Sequence, residues 1–229
     1  MNVERFNAKT NQSPNHNQWD TLTREDQWDT LTRESVQNKH LTQEQMASRI
    51  KQGIEHYKES IQPFVDRIED DTIKTFIKDY EDEDYPLFAI DQGFLHELES
   101  ALRLKNKIEL WHDEEPGRDE RAWYRRGKNE IILNDNFAHD TGDAFDFISE
   151  LSTLAHETFH AYQYEQELYG DKESSERYKE LHSSYTMEDC ITYCDTPIEL
   201  EAYCFENLIG HKILKNMHEM GRHTDLGIH

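Results

Sequence analysis

The chain of 229 residues has few of the residues that interrupt or cross-link a fold: nine glycines, five prolines and three cysteines. Because glycine and proline are poor helix formers, their scarcity favours a mostly helical protein. Three cysteines provide no disulfide framework. Cys190 and Cys194 lie one helical turn apart, but a metal site there would need two further ligands nearby, so we expect ordinary half-buried thiols.

The chain also lacks long apolar segments and an excess of positive charge. No run of 18 apolar residues occurs, and the polar amino terminus has no hydrophobic segment of a signal peptide. We therefore expect no membrane span, no secretion and a cytoplasmic location. Only 25 lysines and arginines oppose 48 acidic residues, which gives a formal net charge of −23. Such a surface repels phosphate backbones and attracts basic protein segments, so we expect no nucleic-acid binding.

Residues 1–40 differ from the rest in composition. They are rich in Asn, Gln, Thr and Asp and poor in aliphatic side chains, so we predict a disordered polar tail. Inside it the eight residues QWDTLTRE occur twice, at 18–25 and 27–34. Two Trp/Leu pairs would raise avidity for a partner, although a slippage duplication without function explains the repeat equally well. Residues 41–229 are predicted to form one domain.

The domain divides by its hydrophobic period into a helical part, 41–104, and a mixed part, 105–229. Three helices are predicted first, at 41–57, 61–80 and 88–104. The period then changes to two, which indicates strands. Three short strands are predicted, at 108–112, 122–126 and 131–133. Because a turn at Gly127-Lys128-Asn129 joins the last two, we expect a small antiparallel meander.

A long helix is predicted over 143–169, where neither glycine nor proline occurs and apolar residues recur at helical spacing. It contains the HExxH motif His156-Glu157-Thr158-Phe159-His160. Imidazoles four residues apart on a helix lie on one face and can bind one metal ion. With zinc bound, the intervening Glu157 would take the proton of an attacking water. The alternative is two surface histidines on an amphipathic helix.

A third metal ligand is expected from the helix that Thr196 and Pro197 begin, as N-cap and first helical residue. Glu199 and Glu201 flank the apolar face of this helix at similar angles, so periodicity does not choose between them. Glu199 also has an ordinary interpretation, since Thr196-x-x-Glu199 is a capping box.

The segment Glu199-x-x-Ala202-x-x-Phe205 after HExxH resembles the ExxANxFA segment of ImmA/IrrE-like metallopeptidases, which are small cytoplasmic gluzincins. The resemblance covers about residues 105–215 and implies an α+β, helix-dominated minimal zincin fold with a small antiparallel sheet beside the HExxH helix. It implies Glu199, rather than Glu201, as the third ligand. The strand at 131–134 is similar to the family's edge strand, where a substrate adds by β-pairing. The chain departs from the family at two positions: Phe159 stands where the family commonly has a glycine, and Tyr203 stands where it has an asparagine.

These residues predict a zinc-dependent metallopeptidase with His156, His160 and Glu199 on Zn²⁺ and Glu157 as the base. The auxiliary donors considered are His182, Tyr185 and Tyr203, besides Glu201. The resemblance implies a regulatory protease that cuts a specific protein partner, such as a transcriptional repressor. The alternative is a non-catalytic zincin-like binding module that uses the acidic surface and the Trp repeats.

Overall fold

A computed structural model describes residues 43–82, 85–113, 121–134, 144–183 and 196–222. Within these ranges the chain forms six helices and three strands. The helices are α1 (Gln43–Val65), α2 (Asp70–Glu81), α3 (Leu87–Leu102), α4 (Ala144–Tyr169), α5 (Lys172–Ser183) and α6 (Pro197–Glu219). The strands are β1 (Glu109–Asp113), β2 (Ala122–Arg125) and β3 (Glu130–Asn134). The predicted tail, its repeat, Tyr185, Cys190 and Cys194 lie outside the described residues.

The described part of the chain is helix-dominated with a small sheet, which confirms the α+β prediction at that level. The helix predicted for 143–169 is present as α4. Among the described residues, no helix combines the length and the apolar character that crossing a membrane requires.

The predicted boundary between the first two helices is wrong. Helix α1 continues through residue 61 to Val65, and α2 begins only at Asp70. A short turn separates them, in which the Ile68 amide donates to the Val65 carbonyl at 3.2 Å. Val65 and Ile68 are both buried, so apolar residues continue across the turn and the periodicity does not reveal it.

Helix α6 lies at the centre of the helical core, where it packs against both α1 and α4. The rings of Phe159 on α4 and Phe205 on α6 are 5.1 Å apart, and both side chains are fully buried. Phe64 on α1 packs edge-on against Phe159. These contacts fix α4 and α6 side by side, which is the arrangement that a shared metal site requires.

The sheet is mixed, with the order β1-β3-β2. β2 pairs antiparallel with β3 as expected, but β1 pairs parallel with β3, so the predicted antiparallel meander is wrong. β3 is also the central strand and not the edge strand that the resemblance implied. Its continuous apolar run, Ile131-Ile132-Leu133, is buried throughout, as is typical of a strand covered on both faces.

Candidate metal centre

The structure brings together three of the predicted site residues from two helices. His156 and His160 lie one turn apart on α4, and Glu199 lies in the first turn of α6. The two Nε2 atoms are 3.1 Å apart; that of His156 lies 3.4 Å from Glu199 Oε2, and that of His160 lies 3.4 Å from Glu199 Oε1. His156 and Glu199 are buried and His160 is nearly so. The two imidazole nitrogens and the Glu199 carboxylate therefore form a triangle around a common centre, with one donor atom from each residue within 4.8 Å of the others.

The size of this triangle fits a zinc ion. Zinc binds histidine nitrogen and carboxylate oxygen at about 2.0–2.1 Å with tetrahedral angles, which separates neighbouring donor atoms by about 3.3 Å. The Nε2–Nε2 separation of 3.1 Å is close to that value, and so is the separation of 3.4 Å from each Nε2 to a different oxygen of Glu199. The donor set, two imidazoles and one carboxylate, is also a common one for zinc in sites that keep a fourth position open.

The start of α6 explains how Glu199 reaches this position. Thr196 is the N-cap, and its hydroxyl accepts a hydrogen bond from the Glu199 amide at 3.4 Å, while Pro197 occupies the first turn. The Glu199 backbone is thus held by the cap, whereas its carboxylate lies against the two imidazoles. The side chain that a capping box would turn back to the N-cap points to the histidines instead.

Glu201 lies in a different environment, away from the histidines. Its carboxylate accepts hydrogen bonds from Tyr178 Oη at 3.0 Å and Gln163 Nε2 at 3.1 Å, and it pairs with Arg177. Arg177 and Tyr178 belong to α5, so Glu201 joins α5 to α6 and α4.

Each imidazole is held by a hydrogen bond on the side away from the triangle. His156 Nδ1 lies 2.9 Å from Glu206 Oε2, and His160 Nδ1 lies 2.9 Å from Gln163 Oε1. Because a carboxylate and an amide oxygen only accept, both Nδ1 atoms donate, which leaves the Nε2 lone pairs for a metal. Sequence reasoning missed Glu206, although its spacing of seven residues from Glu199, two helical turns, places both on one face of α6.

Glu157 lies between α4 and the outer edge of β2. Its Oε2 accepts a hydrogen bond from the Tyr124 amide at 2.7 Å. The Arg121 carbonyl accepts a hydrogen bond from the Asn134 amide at the end of β3. The Arg125 carbonyl accepts one from the Asn129 amide in the turn before β3. Since alternate residues of a strand face opposite sides, Tyr124 has its amide on the side away from β3.

The charges within the site stabilise one another. Burial lowers the pKa of His156, but hydrogen bonds with Glu199 and Glu206 outweigh this effect and raise the pKa to about 10. Burial would raise the pKa of Glu199, yet the His160 charge and hydrogen bonds from both imidazoles hold it below its usual range. For Glu157, burial raises the pKa, and the two histidines oppose the rise. A metal ion that binds here must displace a proton from His156.

The remaining auxiliary candidates have other contacts. His182, at the end of α5, makes a short hydrogen bond through Nδ1 to Glu167 on α4, and burial lowers its pKa. Tyr203 packs the edge of its ring against His156, with centroids 4.7 Å apart. Tyr185 lies outside the described residues.

Comparison of the chain with protein-family models, with curated proteins and with solved structures finds no match. The resemblance to ImmA/IrrE-like metallopeptidases therefore stays a prediction. The functional interpretation depends on the geometry of the residues themselves.

Proposed function

We propose that this protein is a zinc-dependent metallopeptidase that hydrolyses a peptide bond. The observation that carries the proposal is the buried triangle of His156, His160 and Glu199, in which the contacts between donor atoms, 3.1–3.4 Å, are close to the donor separations of a tetrahedral zinc site. Glu157 is a half-buried carboxylate that lies between the two histidines in sequence and beside the edge of β2 in space. This position supports hydrolysis rather than structural metal binding.

Each residue has a chemical part in this proposal. Zinc bound by the triangle supplies a Lewis acid that polarises a substrate carbonyl and acidifies water. Glu157 accepts the proton of the attacking water and returns it to the leaving amine. The Tyr124 amide holds the Glu157 carboxylate in place, and Glu206 and Gln163 hold the two imidazoles.

The outer edge of β2 is the surface on which we expect an extended peptide to lie. Tyr124 on this edge donates its amide to Glu157, so a peptide that lies along the outer edge of β2 comes close to the base, although that one amide is not open to pair with it. The resemblance assigned substrate pairing to residues 131–134. Because β3 is paired on both sides, we assign substrate pairing to the outer edge of β2 instead. A regulatory role in the cytoplasm, with a repressor as substrate, is the part of the proposal that rests on the resemblance alone.

Metal analysis of the purified protein tests the centre first. We expect about one zinc ion per chain in the wild type and none in His160→Ala or Glu199→Ala, with zinc retained in Glu201→Gln. Plasma mass spectrometry after gel filtration measures the content. A wild type that takes up no metal after incubation with zinc would overturn the metallopeptidase proposal.

Hydrolysis itself is tested with Glu157→Gln, which keeps the side-chain shape and removes the base. We expect this variant to keep its zinc and to lose cleavage of a mixed peptide library by at least about 100-fold. Mass spectrometry of the library before and after incubation identifies the products. Equal behaviour of wild type and variant, with no cleavage by either, would favour the non-catalytic binding module.

A further inference from the structure

The two imidazoles of the metal centre have unlike partners. His160 donates to Gln163, a neutral and fully buried amide whose own NH₂ group donates to the Ile198 carbonyl at 2.9 Å. His156 donates to the carboxylate of Glu206 at 2.9 Å. Only one of the two imidazoles is therefore hydrogen-bonded to a charged side chain through Nδ1.

Glu206 is placed to act on His156 without binding the metal. Its oxygen contacts Nδ1, whereas His160 and Glu199 lie on the Nε2 side of the same ring. Tyr203, one turn earlier on α6, packs its edge against the ring. The His156 imidazole is thus fixed by a carboxylate at one atom and by an aromatic ring at its side, and Nε2 points into the triangle.

A carboxylate partner has two physical effects on an imidazole that binds a metal. It fixes the tautomer with the proton on Nδ1, and its negative charge makes Nε2 a stronger electron donor. Glu206 is itself partly accessible, with 30 % of its side chain exposed, so its charge is not forced into a dry interior where it would be neutralised. The pair is a hydrogen-bonded ionic contact at the rim of a buried site.

We propose that Glu206 is a positioning residue of the metal centre, which sets the orientation of His156 and strengthens its bond to the metal. The inference rests on the proposed zinc site. The resembling family has an asparagine at the position of Tyr203, where a hydrogen bond to a ligand histidine is expected. In this chain Glu206, three residues further along α6, makes such a hydrogen bond to His156.

Zinc affinity is the direct test, measured by competition with a chromophoric chelator. We expect Glu206→Ala to raise the zinc Kd by about 10–100-fold, because loss of such a partner typically weakens metal binding by that factor. Glu206→Gln keeps an acceptor for Nδ1 and removes the charge, so its Kd should lie between those of the wild type and Glu206→Ala. Asn207→Ala, the exposed neighbour, is the matched control and should bind zinc like the wild type.

Two further readouts separate positioning from a merely structural role. The visible absorption of the cobalt-substituted protein reports the ligand field, and we expect it to shift in Glu206→Ala and not in Asn207→Ala. The helical circular dichroism of the metal-free variants should equal that of the wild type. If Glu206→Ala fails to fold, the Kd and cobalt spectrum of Glu206→Gln decide the matter.

The outcomes distinguish this inference from the proposed function. A wild type that binds zinc, with an unchanged Kd and cobalt spectrum in both Glu206 variants, would overturn the role of Glu206 and leave the metallopeptidase proposal standing. A wild type that binds no zinc would overturn both. Weaker binding in Glu206→Ala with partial recovery in Glu206→Gln is the supporting result.

Discussion

Glu199 and Glu201 lie two positions apart at the start of α6, yet their carboxylates have different partners. Glu199 contacts two imidazoles, and Glu201 contacts the guanidinium of Arg177 and the phenol of Tyr178. The same residue type therefore belongs to the candidate metal centre in one case and to a buried contact between helices in the other. Substitutions at the two positions should have separable effects.

We expect Glu201→Gln to lower the free energy of unfolding by about 1–2 kcal/mol and to leave zinc content unchanged. The amide leaves Arg177 without its counter-charge and gives Tyr178 a weaker acceptor. Urea unfolding combined with metal analysis measures both quantities. The assignment would be contradicted by a Glu201→Gln protein that has wild-type stability and no zinc.

Cys204 gives a pH-dependent prediction. Burial raises the pKa of its thiol to about 12, whereas a thiol in the unfolded chain has a pKa of about 8.5. The stability from keeping the thiol neutral is fully present below about pH 8.5 and is lost as the pH rises toward 12. We expect unfolding free energy to fall more steeply between about pH 8 and 10.5 in the wild type than in Cys204→Ala. Equal slopes in urea titrations would refute the buried neutral thiol.

At the residue scale, the HExxH spacing is sufficient to predict that His156 and His160 share one face of α4. The choice between Glu199 and Glu201 is not available from periodicity, because both flank the buried face of α6 at similar angles. Only the packing of α6 beside α4 distinguishes them. For Glu206, the sequence spacing does predict that it shares a face of α6 with Glu199. Its role was not predictable, because it depends on a contact with His156, 50 residues away in sequence.

At the element scale, α1 approaches α6 closely at Gly53. A Cβ atom added at this glycine would lie 2.6 Å from Leu200 Cδ2, and Leu200 is fully buried beside Glu199. The absence of a side chain at Gly53 therefore lets the two helices pack closely next to Glu199 of the candidate metal centre.

We expect Gly53→Val to lower the free energy of unfolding by about 1–3 kcal/mol through overpacking against Leu200. Gly127→Val is the control, because no atom lies within 4 Å of an added Cβ in that exposed turn. Its effect should stay within about 0.5 kcal/mol. Thermal and urea unfolding measure both variants, and equal losses would argue against the close helix contact.

The existence of the strands is predictable from alternating side chains, but their partners are not. Alternation reports which faces of a strand are covered, and it carries no information on whether the neighbouring strand runs parallel or antiparallel. The turn at Gly127-Lys128-Asn129 does predict the β2–β3 hairpin, and Asn129 has the left-handed φ of 58° that such turns require. Residues 114–120, which join β1 to β2 in the chain, lie outside the described residues, and the two strands that they join lie on opposite sides of β3.

At the scale of the whole molecule, a bound zinc ion would link distant parts of the chain. Thirty-eight residues separate His160 from Glu199, so a shared metal closes a long loop and ties α4 to α6. Such a link stabilises the folded state because the unfolded chain offers no preformed site.

We expect zinc at about 1,000 times its Kd to raise the free energy of unfolding by about 4 kcal/mol, an effect that a chelator removes. Glu199→Ala should unfold at the same temperature with and without zinc. Differential scanning calorimetry measures these shifts. An unfolding temperature of the wild type that does not change when the metal is removed would contradict a link between the helices.

The hydrogen bond from the Tyr124 amide to Glu157 has a consequence for how the chain tolerates mutation. The donor is a main-chain group, so almost any side chain at position 124 preserves it, and only proline removes it. A slip of β2 by one residue against β3 would instead turn that amide to the opposite side and withdraw it from the carboxylate. The position of the Glu157 carboxylate therefore depends on the register of β2 against β3 and not on the identity of a neighbouring side chain.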